Sequence, residues 1–560
     1  MKYFILLPLL WLSACATQRP DTPADDEILP QVGAPGDVGY HLFMAEIALQ
    51  RDKPEVAATE YLAAAQAGED PEVAARATRI AWAYGTRGEG IAAARRWVAL
   101  EPENPDPRRF LVRLHLQESD VAPAARELKF LRDAMAQKDE DTERPFLELL
   151  PLVADTRDRE AALAALAEVA ADYPDDASGA YAVGYLALRA GDAKRARTEA
   201  ERALKADPEW QDAAVLYARA VAADGDADEA LEWLAARPDA SSPELQLERA
   251  VMLMAAERNE EARELLEALI QLNPTDPGAL RALGYLDYFE GFLESAQQVF
   301  MSLLATGRYT NDALFYLGGI AEQQGQIEEA ARLYARVNGG EHLVSAQVRL
   351  ALLMFRMDRP ELALNHLEEF ARRHPDGAIE LDAARAELLM RLELRDEALE
   401  VYDGILAKNP GETDVRYARA LLYEQLGRVD EALADFGRIV EQRPDDPIAL
   451  NALGYTLADS TDRYEEAYAL IRRALELDPD NPAILDSMGW VLFKLDRAAE
   501  GLPHLERSWE LQTDPEIAAH LGELLWSLGR IDAARTIWNE AIVEFPGDEM
   551  LLETMGRLDP

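Results

Sequence analysis

Histidine and cysteine, the side chains that most often bind metals or act as nucleophiles, are few in this sequence and widely spaced. Seven histidines and one cysteine occur among 560 residues. The closest histidine pair, His366 and His374, is eight residues apart and lacks the H-E-x-x-H spacing of zinc proteases. Neither a Gly-x-Ser-x-Gly elbow nor a glycine-rich phosphate loop is present. The sequence therefore predicts no catalytic residues, no metal site, no cofactor and no enzyme activity.

The charge balance narrows the range of partners. Acidic residues number 104 and basic residues 57, so the formal net charge is −47. Apolar residues make up 49% of the chain and charged residues 29%, which is typical of globular proteins. Nucleic acid and anionic lipid both require a basic surface, so binding to either through surface charge is excluded. The acidity favours partner proteins with basic faces.

The N-terminus has the pattern of a targeting segment. An apolar run from Tyr3 to Leu12 is too short to span a bilayer and is typical of a signal peptide. The following Leu12-Ser13-Ala14-Cys15 resembles the lipobox of bacterial lipoproteins, in which the cysteine becomes the lipidated N-terminus; the alternative is a buried cysteine in an ordinary signal peptide. Residue 16 is Ala, not the Asp that usually retains such lipoproteins in the inner membrane. The resemblance implies a Gram-negative outer-membrane anchor facing the periplasm.

The sequence divides into four segments. Residues 1–14 are the predicted lipoprotein signal peptide, and residues 15–38 combine Cys15 with a stretch rich in proline and acidic residues. That composition predicts a flexible tether, with a binding motif as the alternative. Residues 39–548 form the predicted folded body, and residues 549–560 a capping helix.

A spacing of about 34 residues repeats throughout the folded body. A small residue marks most units, although a few units have a larger residue at this position. A residue with a larger apolar side chain often follows about 16 positions later, as Phe300 follows Gly284 and Trp538 follows Gly522. The marker positions are Ala45, Thr78, Val112, Leu150, Gly184, Ala218, Ala250, Gly284, Gly318, Ala351, Ala386, Ala420, Gly454, Gly489 and Gly522.

This pattern resembles the tetratricopeptide repeat (TPR). Each unit predicts two amphipathic helices, with turn signals such as Gly427-Arg428 within units and Asp478-Pro479 between them. The resemblance implies an all-α fold: a right-handed superhelical solenoid of about fifteen helix-turn-helix repeats. Two departures stand out. A longer interval at 136–145 predicts an exposed loop and a subdomain joint, and Asn338-Gly339-Gly340 lacks the usual inter-repeat proline.

In TPR proteins the first helix of each unit lines a concave groove, with groove-facing side chains three positions before and one, four and five after the small residue. Those offsets also select Glu424 and Asp486. The predicted partner-binding residues are Tyr181, Tyr185, Arg281, Tyr285, Tyr288, Phe315, Tyr417, Asn451, Tyr455, Trp490, Phe493 and Trp526. Rigid aromatic side chains on a groove are typical of binding hot spots, whereas the alternative is that each ring packs on the adjacent repeat.

Some TPR domains hold acidic C-termini with a clamp of basic and asparagine side chains that spans three first helices. The groove lacks this pattern: the groove position after Arg281 is Tyr285 and not asparagine, and the position equivalent to Asn451 in the next repeat is Asp486. The chain looks most like TPR lipoproteins that recruit a carboxyl-terminal processing protease and deliver peptidoglycan hydrolases to it. The alternative is a scaffold for secretion, pilus assembly or polysaccharide export, in which the groove aromatics would stack on sugar rings.

Overall fold

The computed structural model describes residues 37–138 and 144–559, and every regular element in these two stretches is a helix. The all-α fold class predicted from the sequence is thereby confirmed for them. Cys15, the signal peptide and the tether up to residue 36 lie outside the described residues. The chain divides into two compact units, Met1–Leu269 and Ile270–Pro560, and the division falls within one helix, Asn259–Leu272. None of the helices in the described stretches is long and apolar enough to cross a membrane.

The first unit consists of helices of 9 to 18 residues. They are α1 (Val38–Gln50), α2 (Pro54–Ala67), α3 (Pro71–Ala83), α4 (Arg87–Leu100), α5 (Asp106–Gln117), α6 (Val121–Lys138), α7 (Pro145–Val153), α8 (Arg159–Ala170), α9 (Ala177–Arg189), α10 (Ala193–Ala206), α11 (Gln211–Ala223), α12 (Ala227–Ala235) and α13 (Pro243–Ala255), followed by α14 (Asn259–Leu272) at the division.

The second unit continues the same pattern and includes one short 3-10 turn, Pro375–Gly377. Its helices are α15 (Pro277–Phe289), α16 (Leu293–Ala305), α17 (Thr310–Gln323), α18 (Ile327–Tyr334), α19 (Leu343–Arg356), α20 (Pro360–Arg373), α21 (Ala378–Arg391), α22 (Arg395–Lys408), α23 (Thr413–Gln425), α24 (Val429–Gln442), α25 (Pro447–Ser460), α26 (Tyr464–Leu477), α27 (Pro482–Lys494), α28 (Ala498–Leu511), α29 (Pro515–Ser527), α30 (Ile531–Glu544) and α31 (Glu549–Leu558).

Consecutive helices pack as pairs, for example α9 with α10, α25 with α26 and α27 with α28. Within several pairs the turn contains a glycine in the left-handed region: φ is 73° at Gly325, 68° at Gly427 and 74° at Gly529. Glycine adopts this conformation without a steric penalty, so it ends the first helix sharply. Between pairs, an Asx-Pro step starts the next first helix. Asp446 accepts hydrogen bonds from the Ile448 and Ala449 amides, and Pro447 occupies the first helical position.

The small residue of each first helix allows close approach of a large side chain from the second helix. A Cβ on Gly284 would lie 2.7 Å from the Phe300 ring, and one on Gly318 would lie 2.8 Å from the Tyr334 ring. The same contact recurs between Gly489 and Leu505. Since each partner is sixteen residues away, the spacing seen in the sequence is the packing distance around one helical pair.

The two predicted departures coincide with irregular packing. Residues 139–143 lie outside the described residues; beyond them α7 is only nine residues long and packs on α5, α6 and α9, while α8 packs on α6. The half-buried Leu150 is therefore not the small packing position of a regular pair, contrary to the marker register. Before Asn338, α18 ends early at Tyr334, and the Asn338 amide donates to Oδ1 of Asn311 at 3.2 Å.

Candidate functional site

Four consecutive first helices of the second unit, α23, α25, α27 and α29, line one cavity of about 270 Å³. Its lining includes the aromatic and polar residues Tyr417, Glu424, Asn451, Tyr455, Asp486 and Glu516. All except Glu516 lie at groove offsets that the repeat register predicts. Leu421, Ala452 and Ile517 form an apolar part of the cavity wall. We call this site the α23–α29 cavity.

Hydrogen bonds connect the helices around the cavity. The Tyr455 hydroxyl on α25 donates to the Glu516 carboxylate on α29, so this contact joins first helices that are two repeats apart. On the other side, the Thr456 hydroxyl donates to Oε1 of Glu424 on α23 at 2.7 Å. These links fix the carboxylates relative to the cavity walls.

The α23–α29 cavity offers more acceptors than donors. Oδ1 of Asn451 is buried, and among the described residues no donor lies within hydrogen-bond distance of it. Glu424, Asp486, Asp514 and Glu516 bring carboxylates, whereas no arginine or lysine of the described chain lines the cavity. Acceptors that are removed from water without donors raise the free energy of the empty site.

The pKa values of the ionisable groups reflect this removal from water. Burial raises the pKa of Glu424 and also that of Glu516, because each carboxylate loses water. Burial by itself lowers the pKa of His520, but the charges of Asp486 and Glu516 outweigh it and the net shift is upward. Nδ1 of His520 lies 2.9 Å from Oδ2 of Asp486, so the imidazole pairs with a carboxylate that lines the cavity, although His520 itself does not line it.

Trp490 lies behind the cavity and not in it. Only 7% of the residue is exposed, and its ring stacks on His520 with the centroids 4.0 Å apart. Its indole nitrogen donates to Oδ1 of Asp459 at 3.3 Å, and Phe493 also stacks on the ring. This corrects the expectation that Trp490 lies open in a groove: the next repeat supplies His520, which covers the ring.

The other predicted groove residues are half-buried, and most contact a neighbouring helix. In the first unit, Tyr181 packs on Trp210 with the centroids 4.6 Å apart and stacks on Tyr185. Burial raises the pKa of Tyr181 to about 12. In the second unit, Tyr417 packs edge-on against Phe436 and Trp526 stacks on Trp538. The rings thus contribute to packing between helices while the residues remain partly exposed.

A second group of predicted residues gathers around Arg281 near the start of the second unit. Nε of Arg281 lies 2.6 Å from Oδ2 of Asp312 and donates to the Tyr285 hydroxyl at 2.9 Å. The same guanidinium reaches Glu341 at 3.2 Å. Arg281 is therefore paired with carboxylates of the chain itself. This agrees with the sequence, which lacks the clamp that binds the acidic C-terminus of a partner.

Close to this group, the Tyr288 hydroxyl accepts a hydrogen bond from Gln323 at 3.1 Å, and Phe315 stacks on His342 at 4.4 Å. Ligand atoms of Asp312, Glu341 and His342 lie within 4.8 Å of one another, a spacing that could hold a metal ion. Arg281 already places its positive charge between the two carboxylates, so this group is better explained as an ion-pair network.

Sequence reasoning missed Glu516. It lies six residues before the small Gly522, one helical turn beyond the offsets that were applied, and Ala483 lines the same cavity six residues before Gly489. Extending the offsets by one turn toward the N-terminus of each first helix would have found both residues.

Comparison with known proteins agrees with this architecture. Five family models, all described as tetratricopeptide repeat, match residues 147–209, 181–243, 243–286, 281–339, 345–377, 386–452 and 448–481. The chain is a tetratricopeptide repeat protein.

Among curated proteins, the TPR repeat-containing protein PA4667 of Pseudomonas aeruginosa is 29% identical over 93% of this chain and 90% of its own length. Cellulose synthase operon protein C of Xanthomonas axonopodis pv. citri is 30% identical over 35% of this chain, which corresponds to 13% of that protein. Among solved structures, the APC/C hetero-tetramer Cut9-Hcn1 covers 93% of this chain and 96% of the matched chain at 14% identity, with a TM-score of 0.35.

Proposed function

We propose that this protein is a scaffold that binds other proteins through the first helices of its repeats. TPR proteins act in general as protein-interaction scaffolds, and the fold is generally not catalytic. The observation that supports the proposal is the α23–α29 cavity, where consecutive repeats place Tyr417, Asn451 and Tyr455 around one concavity. Aromatic side chains that are held rigidly beside polar groups are typical of binding hot spots.

In its finer form, the proposal is an adaptor of the bacterial envelope. The lipobox-like Leu12–Cys15 supports a lipid anchor on Cys15 in the outer membrane, with the repeats facing the periplasm. The proposed partners are a carboxyl-terminal processing protease and its peptidoglycan-hydrolase substrates. Holding enzyme and substrate on different repeats would raise their effective concentration without any chemistry by the scaffold.

The experiment is affinity capture of the full-length chain from its native envelope, with the bound proteins identified by mass spectrometry. Recovery of a processing protease together with peptidoglycan hydrolases is the expected result. The matched control is Glu540→Gln, an exposed residue on the second helix α30, which should capture the same proteins. Capture of neither a protease nor a hydrolase by the wild-type chain would refute the adaptor proposal.

A scaffold for polysaccharide export is the second candidate, and the partial match to cellulose synthase operon protein C favours it. Here the groove aromatics would stack on sugar rings or hold an export component. The same capture experiment separates the two candidates, because an export machine would yield a secretin or an export porin in place of the protease.

A further inference from the structure

We infer that the α23–α29 cavity accepts the side chain of a lysine or arginine that the partner protein supplies. This inference rests on the proposed binding function and names the chemistry of the partner at this site. Three features support it: the balance of charge, the unpartnered acceptor and the apolar walls.

Charge balance is the first feature. Two buried carboxylates elsewhere in the described chain have an arginine beside them: Glu248 lies 2.6 Å from Arg219, and Asp435 lies 2.7 Å from Arg419. In the α23–α29 cavity, Glu424 and Glu516 have hydroxyl donors only, and no arginine or lysine of the described residues lines the space. A cation from outside would give Glu424 and Glu516 the kind of pairing that Glu248 and Asp435 have within the chain.

The unpartnered acceptor is the second feature. Asn451 lines the same cavity as the two glutamates, and its buried Oδ1 has no hydrogen-bond partner within the described chain. An ammonium group offers three donors and a guanidinium five, so either can satisfy an amide oxygen and carboxylates together. A neutral apolar group would offer no donor to the amide oxygen and no charge to the two carboxylates.

The walls are the third feature. Leu421, Ala452, Ile517 and the Tyr417 ring line the approach to the carboxylates. Lysine and arginine carry an aliphatic stem that packs on such surface while the charged end reaches polar groups. A cavity of about 270 Å³ has room for one such side chain, and a flat acidic surface would provide no contact for the stem.

The test measures binding of two capped seven-residue alanine-glycine peptides to the full-length chain in detergent. One peptide has a central lysine, and the other has norleucine, which keeps the stem and lacks the charge. We expect the lysine peptide to bind about tenfold more tightly, a difference of ~1.4 kcal/mol. Replacing Glu424 and Glu516 together by Gln should remove that preference and leave norleucine binding unchanged, while Glu540→Gln should alter neither.

General attraction to an acidic chain is controlled in this design, because the double variant changes the formal net charge of −47 by only two. Asn451→Leu is a second variant that leaves the net charge alone, and it should also weaken lysine binding. Equal binding of the two peptides to the wild type, or undiminished lysine preference in the double variant, would overturn the inference. If envelope partners are captured while the peptides are not discriminated, the adaptor proposal stands and this inference falls; the reverse outcome refutes the adaptor proposal alone.

Discussion

The indole nitrogen of Trp538 lies 1.9 Å from the point where a Cβ on Gly522 would be. The Trp538 ring is 1% exposed, so it cannot move aside into solvent. We therefore expect Gly522→Ala to overpack this contact and lower the free energy of unfolding by about 1–3 kcal/mol.

The control is Gly404→Ala, in the middle of the second helix α22, where a Cβ would meet no atom within 4 Å. Alanine has the higher helix propensity, so this variant should be more stable by roughly 0.5–1 kcal/mol. Urea unfolding followed by circular dichroism measures both. Equal effects of the two substitutions would contradict the packing role of the small position.

Trp490 should behave as a core residue. Because Trp490 is buried and stacks on His520 and Phe493, Trp490→Ala should lower the free energy of unfolding by ~3–5 kcal/mol, as Trp538→Ala should. Chemical unfolding of the two variants side by side provides the comparison. An effect within ~0.5 kcal/mol for Trp490→Ala would instead restore the groove position that the sequence offset predicted.

Stability should decrease as the pH rises above 6.5 because of the His520–Asp486 pair. The pKa of His520 is raised above its ordinary 6.5 by Asp486, Glu516 and Asp459 against the opposing effect of burial. The histidinium therefore stabilises the fold fully below pH 6.5, and this contribution is lost as the pH rises through the raised pKa. Thermal unfolding of His520→Asn across this window should show a smaller pH dependence than the wild type; an unchanged profile would contradict the assignment.

Glu424 and Glu516 should also make the fold less stable as the pH rises, but in a lower pH range than His520. Burial raises the pKa of Glu424 and Glu516 above 4.5, so the protonated folded form is favoured. This stabilisation is complete below pH 4.5 and is lost as the pH rises through the raised values, because the unfolded chain then releases its protons more readily. The double Gln variant resembles the protonated state, so at neutral pH its melting temperature should equal or exceed that of the wild type. A marked loss of stability there would show that the charged forms stabilise the fold.

Membrane attachment should depend on the thiol of Cys15. If the lipoprotein proposal holds, Cys15→Ser removes the atom that carries the lipid, and the protein should move from the membrane fraction to the soluble fraction. Fractionation in cells that lack the captured partners is the measurement. Continued sedimentation with membranes in that background would refute the anchor.

The packing of one helical pair was predictable from the sequence, because it depends on local spacing. The interval from Gly284 to Phe300 and the glycine at 427 follow from rules that involve about 34 consecutive residues. The side chains that cover a first helix come from the following repeats, and the spacing within one repeat does not predict them. The offset of Trp490 gave the direction in which it leaves α27, but not that His520 would stack on it.

The α23–α29 cavity is assembled from three or four residues per repeat, and its most distant polar link, from Tyr455 to Glu516, passes over a whole repeat. The set of side chains that lines the cavity therefore depends on the order of the repeats and not on any single repeat. Duplication or deletion of a single repeat by recombination would leave every helical pair intact and yet bring a different set of side chains together. Such events would exchange the ligand of the protein in one step, without the gradual substitution of contact residues.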